Sequence, residues 1–132
     1  MRRRVVVAGI VAGLAFGALG ATLVLAQAAP ARTILGAIDV SGATEVATLG
    51  TVDFPASGVI GRHTHPGEEV GYVVKGRVVL KVDGQPDRPL RAGDGFVIPR
   101  GVVHSAAADS GGARLSVVWI TDTGAPLATP AA

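Results

Sequence analysis

From residue 33 onward, short apolar segments alternate with clusters of the turn-forming residues Gly, Pro, Ser and Asp. This alternation restricts the fold more than any other feature of the sequence. The segments comprise residues 33–40, 45–54, 59–65, 69–74, 77–82, 96–99, 102–107 and 114–121. Each has the length of a strand, many are rich in valine, and none shows the 3.6-residue apolar period of a helix. The sequence therefore predicts an all-β sandwich or closed barrel, with turns at the clusters of Gly, Pro, Ser and Asp.

Chain length and composition indicate one domain. The chain has 132 residues, which is enough for one modest hydrophobic core but too few for two. Hydrophobic residues make up 48% of the chain and aromatic residues only 4%, so aliphatic side chains must fill most of the core. We assign the barrel to residues 29–123. Residues 124–132, rich in Ala, Pro and Thr, are expected to form a flexible or surface-lying tail.

The first 28 residues have the three parts of a secretory signal peptide. Arginines at positions 2–4 precede an uncharged stretch over 5–25, and small residues at 26–28 offer a cleavage site. The protein is therefore expected to be exported to the periplasm or the cell exterior. The uncharged stretch is also long enough to remain as an uncleaved anchor helix. Cleavage is the preferred interpretation, because Pro30 and the small residues follow the apolar stretch directly.

The charge balance argues against a nucleic-acid partner. The full chain has a formal charge of +2, but its first 28 residues contain the arginines at positions 2–4. Without them, nine basic residues stand against ten acidic ones, and no basic cluster remains to neutralise phosphates. We expect a small-molecule ligand or substrate as the partner. Membrane contact is expected only through the N-terminal segment, if that segment is retained.

All three histidines of the chain occur at spacings that suit one metal site. His63 and His65 are two residues apart, so both rings point to the same side of a strand. Glu69 begins the next segment after a turn, and His104 comes from a distant one. Three imidazoles and one carboxylate leave positions open on an ion that prefers five or six ligands. This favours Fe, Mn, Ni or Co as the divalent ion, with Zn or Cu as alternatives.

Competing interpretations exist for several of these residues. Glu68 would replace Glu69 as the ligand if the preceding turn were one residue shorter. The histidines could also be hydrogen-bonded framework in a barrel that binds no metal. Arg100 lies in a turn near His104, where it could meet an anionic ligand, although a solvated charge is the commoner role for such a residue.

Two motifs in the chain resemble those of the cupin superfamily. The first motif is a glycine, five residues, His-x-His, three or four residues, Glu, six residues and Gly. It is matched by His63, His65, Glu69 and Gly76, whereas Ser57 stands in place of the leading glycine. The second motif is a glycine, five residues, Pro-x-Gly, two residues, His, three residues and Asn. It is matched by Gly93, Pro99, Gly101 and His104, with Ala108 in place of the asparagine.

The resemblance implies a single jelly-roll barrel, preceded by the signal or anchor helix, with a divalent metal held by His63, His65, Glu69 and His104. It also implies metal-dependent dioxygenation or isomerisation of a small organic molecule, with Glu69 as a ligand or, when displaced, as a base. Small cupins commonly pair through edge strands, so a homodimer joined through residues 33–40 is expected. The alternative is a non-catalytic module of the cell envelope that binds a metal or small ligand.

Overall fold

The computed structural model describes residues 28–132, which fold into a barrel of strands. The strands are β1 (Ala31–Asp39), β2 (Glu45–Phe54), β3 (Val59–Thr64), β4 (Gly67–Val82), β5 (Arg88–Arg91), β6 (Gly95–Ile98), β7 (His104–Asp122) and β8 (Thr129–Pro130). The predicted all-β class is confirmed. Between residues 28 and 132 we find no helix with the length and apolar character needed to cross a membrane. The predicted signal peptide lies outside the described residues, apart from its last one.

Strand β7 organises the sheet, because it pairs with three other strands, all of them antiparallel. Its C-terminal half lies between β2 and β4, and its N-terminal half lies between β3 and β4. The other side of β4 pairs with β5 and β6, while β1 pairs with the other side of β2. The result is the jelly-roll barrel that the resemblance implied. Pro89 is accommodated because β5 is an edge strand, where a missing N–H donor is tolerated.

Two breaks predicted from the sequence are bends inside long strands. The sequence predicts separate strands over 69–74 and 77–82, but β4 runs through both. β7 also continues through the predicted break at 110–112. Gly76 and Gly112 meet at the bend with φ values of +80° and +69°, which favour glycine, and a Cβ on Gly76 would overlap the carbonyl oxygen of Gly112. The glycines therefore bend the paired strands without ending them.

Apolar side chains from alternate strand positions fill the barrel interior. Along β4, Val78, Leu80 and Val82 are buried, whereas Lys81 between them is exposed. Tyr72 lies on the outer face of the same strand. The buried apolar cluster comprises Val52, Phe54, Val73, Val78, Leu80, Val82, Leu90, Phe96, Ile98, Ala108, Ala113, Leu115, Val117 and Trp119. The barrel core is thus mostly aliphatic, as the composition predicts.

The last residues of the chain lie on the surface of the barrel, the second of the two arrangements expected for the tail, and pair with it. Strand β8 pairs with β3, placing Pro130 opposite His63 and Thr129 opposite Thr64. Leu127 packs in part against the buried apolar cluster. Arg62 donates a hydrogen bond of 2.7 Å to the carbonyl oxygen of Ala132. Composition alone missed this attachment because backbone pairing needs no particular side chain.

Ser57, which replaces the first glycine of the cupin motif, adopts the backbone conformation that glycine favours. Its φ is +55°, and it is the one non-glycine residue with a positive φ among residues 28–132. Its N–H donates to the carbonyl oxygen of Asp109, and Gly58 accepts a bond from the N–H of Ala108. These bonds join the two motif regions, so the turn keeps its geometry although the glycine is absent.

Strand β1 forms an exposed edge. Every residue of β1 is exposed, including the apolar Ile34, Leu35 and Ile38. The resemblance to small cupins implies that a second copy would bind through this strand. Dimerisation remains a prediction.

Candidate metal centre

The fold brings the four predicted ligands to one place inside the barrel. His63 lies near the end of β3, His65 directly follows that strand, Glu69 lies near the start of β4, and His104 begins β7. Each offers a ligand atom, and these atoms all lie within 4.8 Å of one another. His65, Glu69 and His104 are buried and His63 is half-buried. The convergence that the sequence spacing predicts is therefore present in the fold.

Backbone carbonyl groups fix the orientation of all three imidazole rings. Nδ1 of His63 lies 2.8 Å from the carbonyl oxygen of Gly61, and Nδ1 of His104 lies 2.9 Å from that of Val102. Nδ1 of His65 lies 2.6 Å from the carbonyl oxygen of Leu127. Because a carbonyl oxygen can only accept, each Nδ1 must carry the proton. When a ring is neutral, it therefore presents the lone pair of Nε2, which is the arrangement that metal-binding histidines use.

The buried nitrogen of His65 shows why this cluster suits a cation. Its Nε2 lies 2.6 Å from Oε2 of Glu69, yet it makes no hydrogen bond with any described residue. With the proton on Nδ1, two lone pairs face each other across this short distance. Nε2 of His104 approaches the same carboxylate oxygen at 3.2 Å. Either a metal ion or an additional proton would relieve the repulsion, so the residues present fit a divalent metal.

The pKa values within the cluster depend on one another. Burial raises the pKa of Glu69, but the neighbouring imidazoles of His104 and His65 outweigh burial and lower it to about 2. Burial lowers the pKa of His104, but the hydrogen bond with Glu69 outweighs it and leaves this pKa above its ordinary value. Burial holds the pKa of His63 below its ordinary value. The carboxylate is therefore ionised at neutral pH and attracts a cation.

The structure decides between the competing residues near the site. Glu68, the rival of Glu69, points instead toward Arg100, whose Nε lies 3.7 Å from its carboxylate. Arg100 also donates to the carbonyl oxygen of Pro66 at 2.8 Å, to Asp122 at 2.9 Å and to Glu45. Arg100 is thus committed to a surface network of carboxylates. It is not available as an anchor for an anionic ligand at the metal.

A small cavity of about 30 Å³ adjoins the four ligands. Apart from these ligands and Arg32, its lining side chains are apolar: Val52, Phe54, Ile60, Val78, Leu80, Leu90, Phe96, Ala106, Leu115 and Trp119. Arg32 lies over the ring of Trp119, with its guanidinium carbon 5.0 Å from the ring centroid. The site therefore combines one metal-binding cluster, one guanidinium and a water-excluding wall.

Sequence reasoning missed Leu127, Arg32 and Trp119 as parts of this site. The carbonyl of Leu127 could not be found by residue type, although a single large apolar residue in an Ala/Pro/Thr tail is a weak sign of attachment. Arg32 reaches the cavity only because β1 folds back beside β2, a long-range pairing that spacing does not reveal. Trp119 fills the core and also lines the cavity.

The fold and the ligand cluster define a metal-binding cupin domain. The chain belongs to this family: the cupin domain matches residues 50–121, more than half of the chain. The matched region contains all four residues of the cluster.

Comparison with individual proteins places the chain near plant and bacterial cupins. It is 38% identical over 79 residues to germin-like protein 3-3 of Oryza sativa subsp. japonica, covering 51% of this chain and 35% of that protein. Oxalate oxidase in complex with the substrate analogue glycolate is 30% identical, with a TM-score of 0.55 over 63% of this chain and 45% of that one. DMSP lyase DddQ from Ruegeria pomeroyi has a TM-score of 0.66 at 24% identity over 77% of this chain and 51% of that one, a likeness of fold alone. The chain spans about a third of the length of the curated relatives that it matches.

Proposed function

We propose that the protein is an exported, metal-dependent cupin enzyme that oxidises a small organic molecule with dioxygen. The observation that carries the proposal is the buried convergence of His63, His65, Glu69 and His104 beside an apolar cavity. The similarity to oxalate oxidase supports a redox reaction over other cupin chemistries. Export is proposed from the signal-like residues 1–28, and dimer formation from the exposed edge β1.

The donor set favours Fe, Mn, Ni or Co over Zn or Cu. Three imidazoles and one carboxylate leave exchangeable positions on ions that prefer five or six ligands. A bound ion of this kind would supply Lewis acidity and a site for electron transfer. The chain itself holds the ligands in place through the carbonyls of Gly61, Val102 and Leu127.

The side chains around the cavity favour oxidation over isomerisation. An isomerase needs a group that accepts a proton from the substrate, with a pKa near the working pH. Glu69 and the three histidines that line the cavity all belong to the predicted ligand set, so the described lining residues include no separate carboxylate or imidazole to act as that base. We therefore assign Glu69 as a ligand. The apolar wall excludes water and strengthens electrostatic interactions within the cavity.

Oxygen uptake by the metal-loaded protein tests this proposal. Protein isolated from its native compartment would first be analysed for metal content and for cleavage after Ala28. The metal would then be removed and replaced by Fe(II), Mn(II), Ni(II) or Co(II), and oxygen uptake measured with oxalate, glycolate, enediols and diketones. We expect uptake with at least one pair of metal and substrate, and its loss in His65→Ala.

One outcome favours the alternative function. Protein that binds metal tightly but consumes no oxygen with any compound would contradict the proposed oxidation. A non-catalytic envelope module that binds a metal or small ligand would then account for the same cluster, because the apolar cavity suits binding without turnover.

A further inference from the structure

An exposed arginine of the edge strand β1 lines the cavity beside the ligand cluster. Arg32 and the four metal-binding residues line the same cavity. The guanidinium carbon of Arg32 lies 5.0 Å from the ring centroid of Trp119, and that ring lies 6.2 Å from the ring of His65. Trp119 is therefore a platform between the arginine and the cluster. Stacking on an aromatic face leaves the N–H edges of a guanidinium free to bind another group.

Arg32 has no carboxylate partner among residues 28–132, unlike several other arginines of the barrel. Arg62 pairs with Asp83 at 2.8 Å, and Arg114 pairs with Asp53 at 2.6 Å. Arg100 pairs with three carboxylates, as described above. Among residues 28–132, no carboxylate lies within ion-pair distance of Arg32. Its donors are thus available to a ligand.

The charges around the cavity favour an anion. A divalent metal and Arg32 contribute positive charge, and Glu69 is the only carboxylate among the lining residues. The cavity with its metal therefore has an excess of positive charge within low-polarity walls, where electrostatic attraction is strong. A planar guanidinium matches the two oxygens of a carboxylate and can bind both at once.

We propose that Arg32 binds the carboxylate of a small organic acid whose other oxygen group faces the metal. This assignment rests on the proposed metal site and narrows its substrate class from small organic molecules to small carboxylic acids. Arg32 determines specificity by selecting the anion, and Trp119 holds its guanidinium in place. Neutral analogues of the same size lack the charge-assisted hydrogen bonds and bind more weakly.

The test measures binding of glycolate to the full chain loaded with Mn(II), independently of turnover. Calorimetry gives the affinity for glycolate, oxalate and the neutral analogue ethylene glycol. Trp119 is the only tryptophan of the chain, so its fluorescence reports directly on a ligand bound at Arg32. We expect glycolate or oxalate to bind and to change this fluorescence, whereas ethylene glycol binds at least about tenfold more weakly.

Substitutions then separate the role of Arg32 from general effects of charge. Arg32→Ala is expected to weaken carboxylate binding by about 10- to 100-fold, and Arg32→Lys by less, because lysine keeps the charge but loses the two-point contact. Arg77→Ala is the matched control. Arg77 is an exposed arginine on the outer face of β4, and its loss should leave affinity unchanged. Unaltered metal affinity and unfolding temperature verify that Arg32→Ala remains folded.

The outcomes distinguish this inference from the proposed function. Carboxylate binding that depends on Arg32, in a protein that consumes no oxygen, would support the inference while contradicting the proposed oxidation. Oxygen-consuming protein in which Arg32→Ala binds its substrate as tightly as the wild type would overturn the inference and leave the oxidation intact. Failure of every carboxylate to bind the metal-loaded wild type would also overturn it.

Discussion

Two groups of side chains fill the same barrel, and they differ in what they need to be stable. Val73, Val117 and their aliphatic neighbours are buried and have no side-chain polar atoms that require partners. The ligand cluster is almost as deeply buried, but Nε2 of His65 and the carboxylate of Glu69 face each other as lone pairs. The aliphatic group therefore needs no further partner, whereas a cation would complete the polar group.

The difference teaches that burial has two functions in this barrel. Apolar burial stabilises the fold, at about 25 cal/mol for each Å² removed from water. Burial of the ligands instead removes their lone pairs and carboxylate from water without giving them a cationic partner. A bound metal ion would supply that partner. Substitutions in the two groups should consequently affect different quantities.

The largest effect is expected when one ligand is removed. In His104→Ala the metal affinity should fall by more than about 100-fold, since loss of a direct ligand exceeds the 10- to 100-fold effect of losing an outer partner. Titration of metal-free protein with Mn(II) measures the change. An affinity equal to that of the wild type would show that His104 is framework and not a ligand.

The matched substitution in the apolar group should produce the reverse pattern. Val117, which is 1% exposed, contributes two methyl groups that Val117→Ala removes. The free energy of unfolding should fall by about 2 kcal/mol, from lost transfer energy and the remaining cavity. Urea denaturation measures this loss, and Mn(II) affinity should stay the same. If Val117→Ala also lowered the metal affinity, the claim that the apolar group affects only stability would be wrong.

A smaller effect is expected from the segment that orients His65. In Leu127→Gly the backbone carbonyl that accepts the Nδ1 proton loses its apolar anchor, so the metal affinity should fall by about tenfold. Leu127→Met retains an apolar side chain of similar volume and serves as the control. ¹⁵N spectra of the imidazole rings should show a mixture of His65 tautomers in Leu127→Gly. If His65 kept a single tautomer in Leu127→Gly, the segment around Leu127 would have a structural role only.

The smallest effect concerns the turn that joins the two motifs. Ser57 has a φ of +55°, so Ser57→Gly should relieve strain and stabilise the protein by at most about 1 kcal/mol. Thermal unfolding measures the gain, and metal affinity should not change because Ser57 is not part of the cluster. Destabilisation would indicate that the serine hydroxyl contributes more than the backbone conformation costs.

The ligand cluster could be predicted from sequence more completely than the strand boundaries. Histidine occurs nowhere else in the chain, and a His-x-His pair on a strand fixes the direction of two rings without knowledge of the fold. Motif spacing favoured Glu69 over Glu68, and in the fold Glu69 lies in the cluster whereas Glu68 lies beside Arg100. Residue type and local geometry were sufficient for these positions.

The missed features all depend on long-range backbone pairing. Gly76 and Gly112 signal turns when considered singly, but they face each other and bend two paired strands. Arg32 lines the cavity through the pairing of β1 with β2, and Leu127 reaches His65 through the pairing of β8 with β3. Such contacts join residues far apart in the chain, and spacing contains no information on them.

Measuring the stability of the wild type with and without a divalent metal tests the central claim most directly. Metal-free protein would be unfolded in urea in the absence of metal and with free Mn(II) at about 100 times its dissociation constant. We predict one ion bound per chain and an increase of about 3 kcal/mol in the free energy of unfolding. Equal stability under both conditions, with no ion bound, would contradict the claim that a cation completes the cluster.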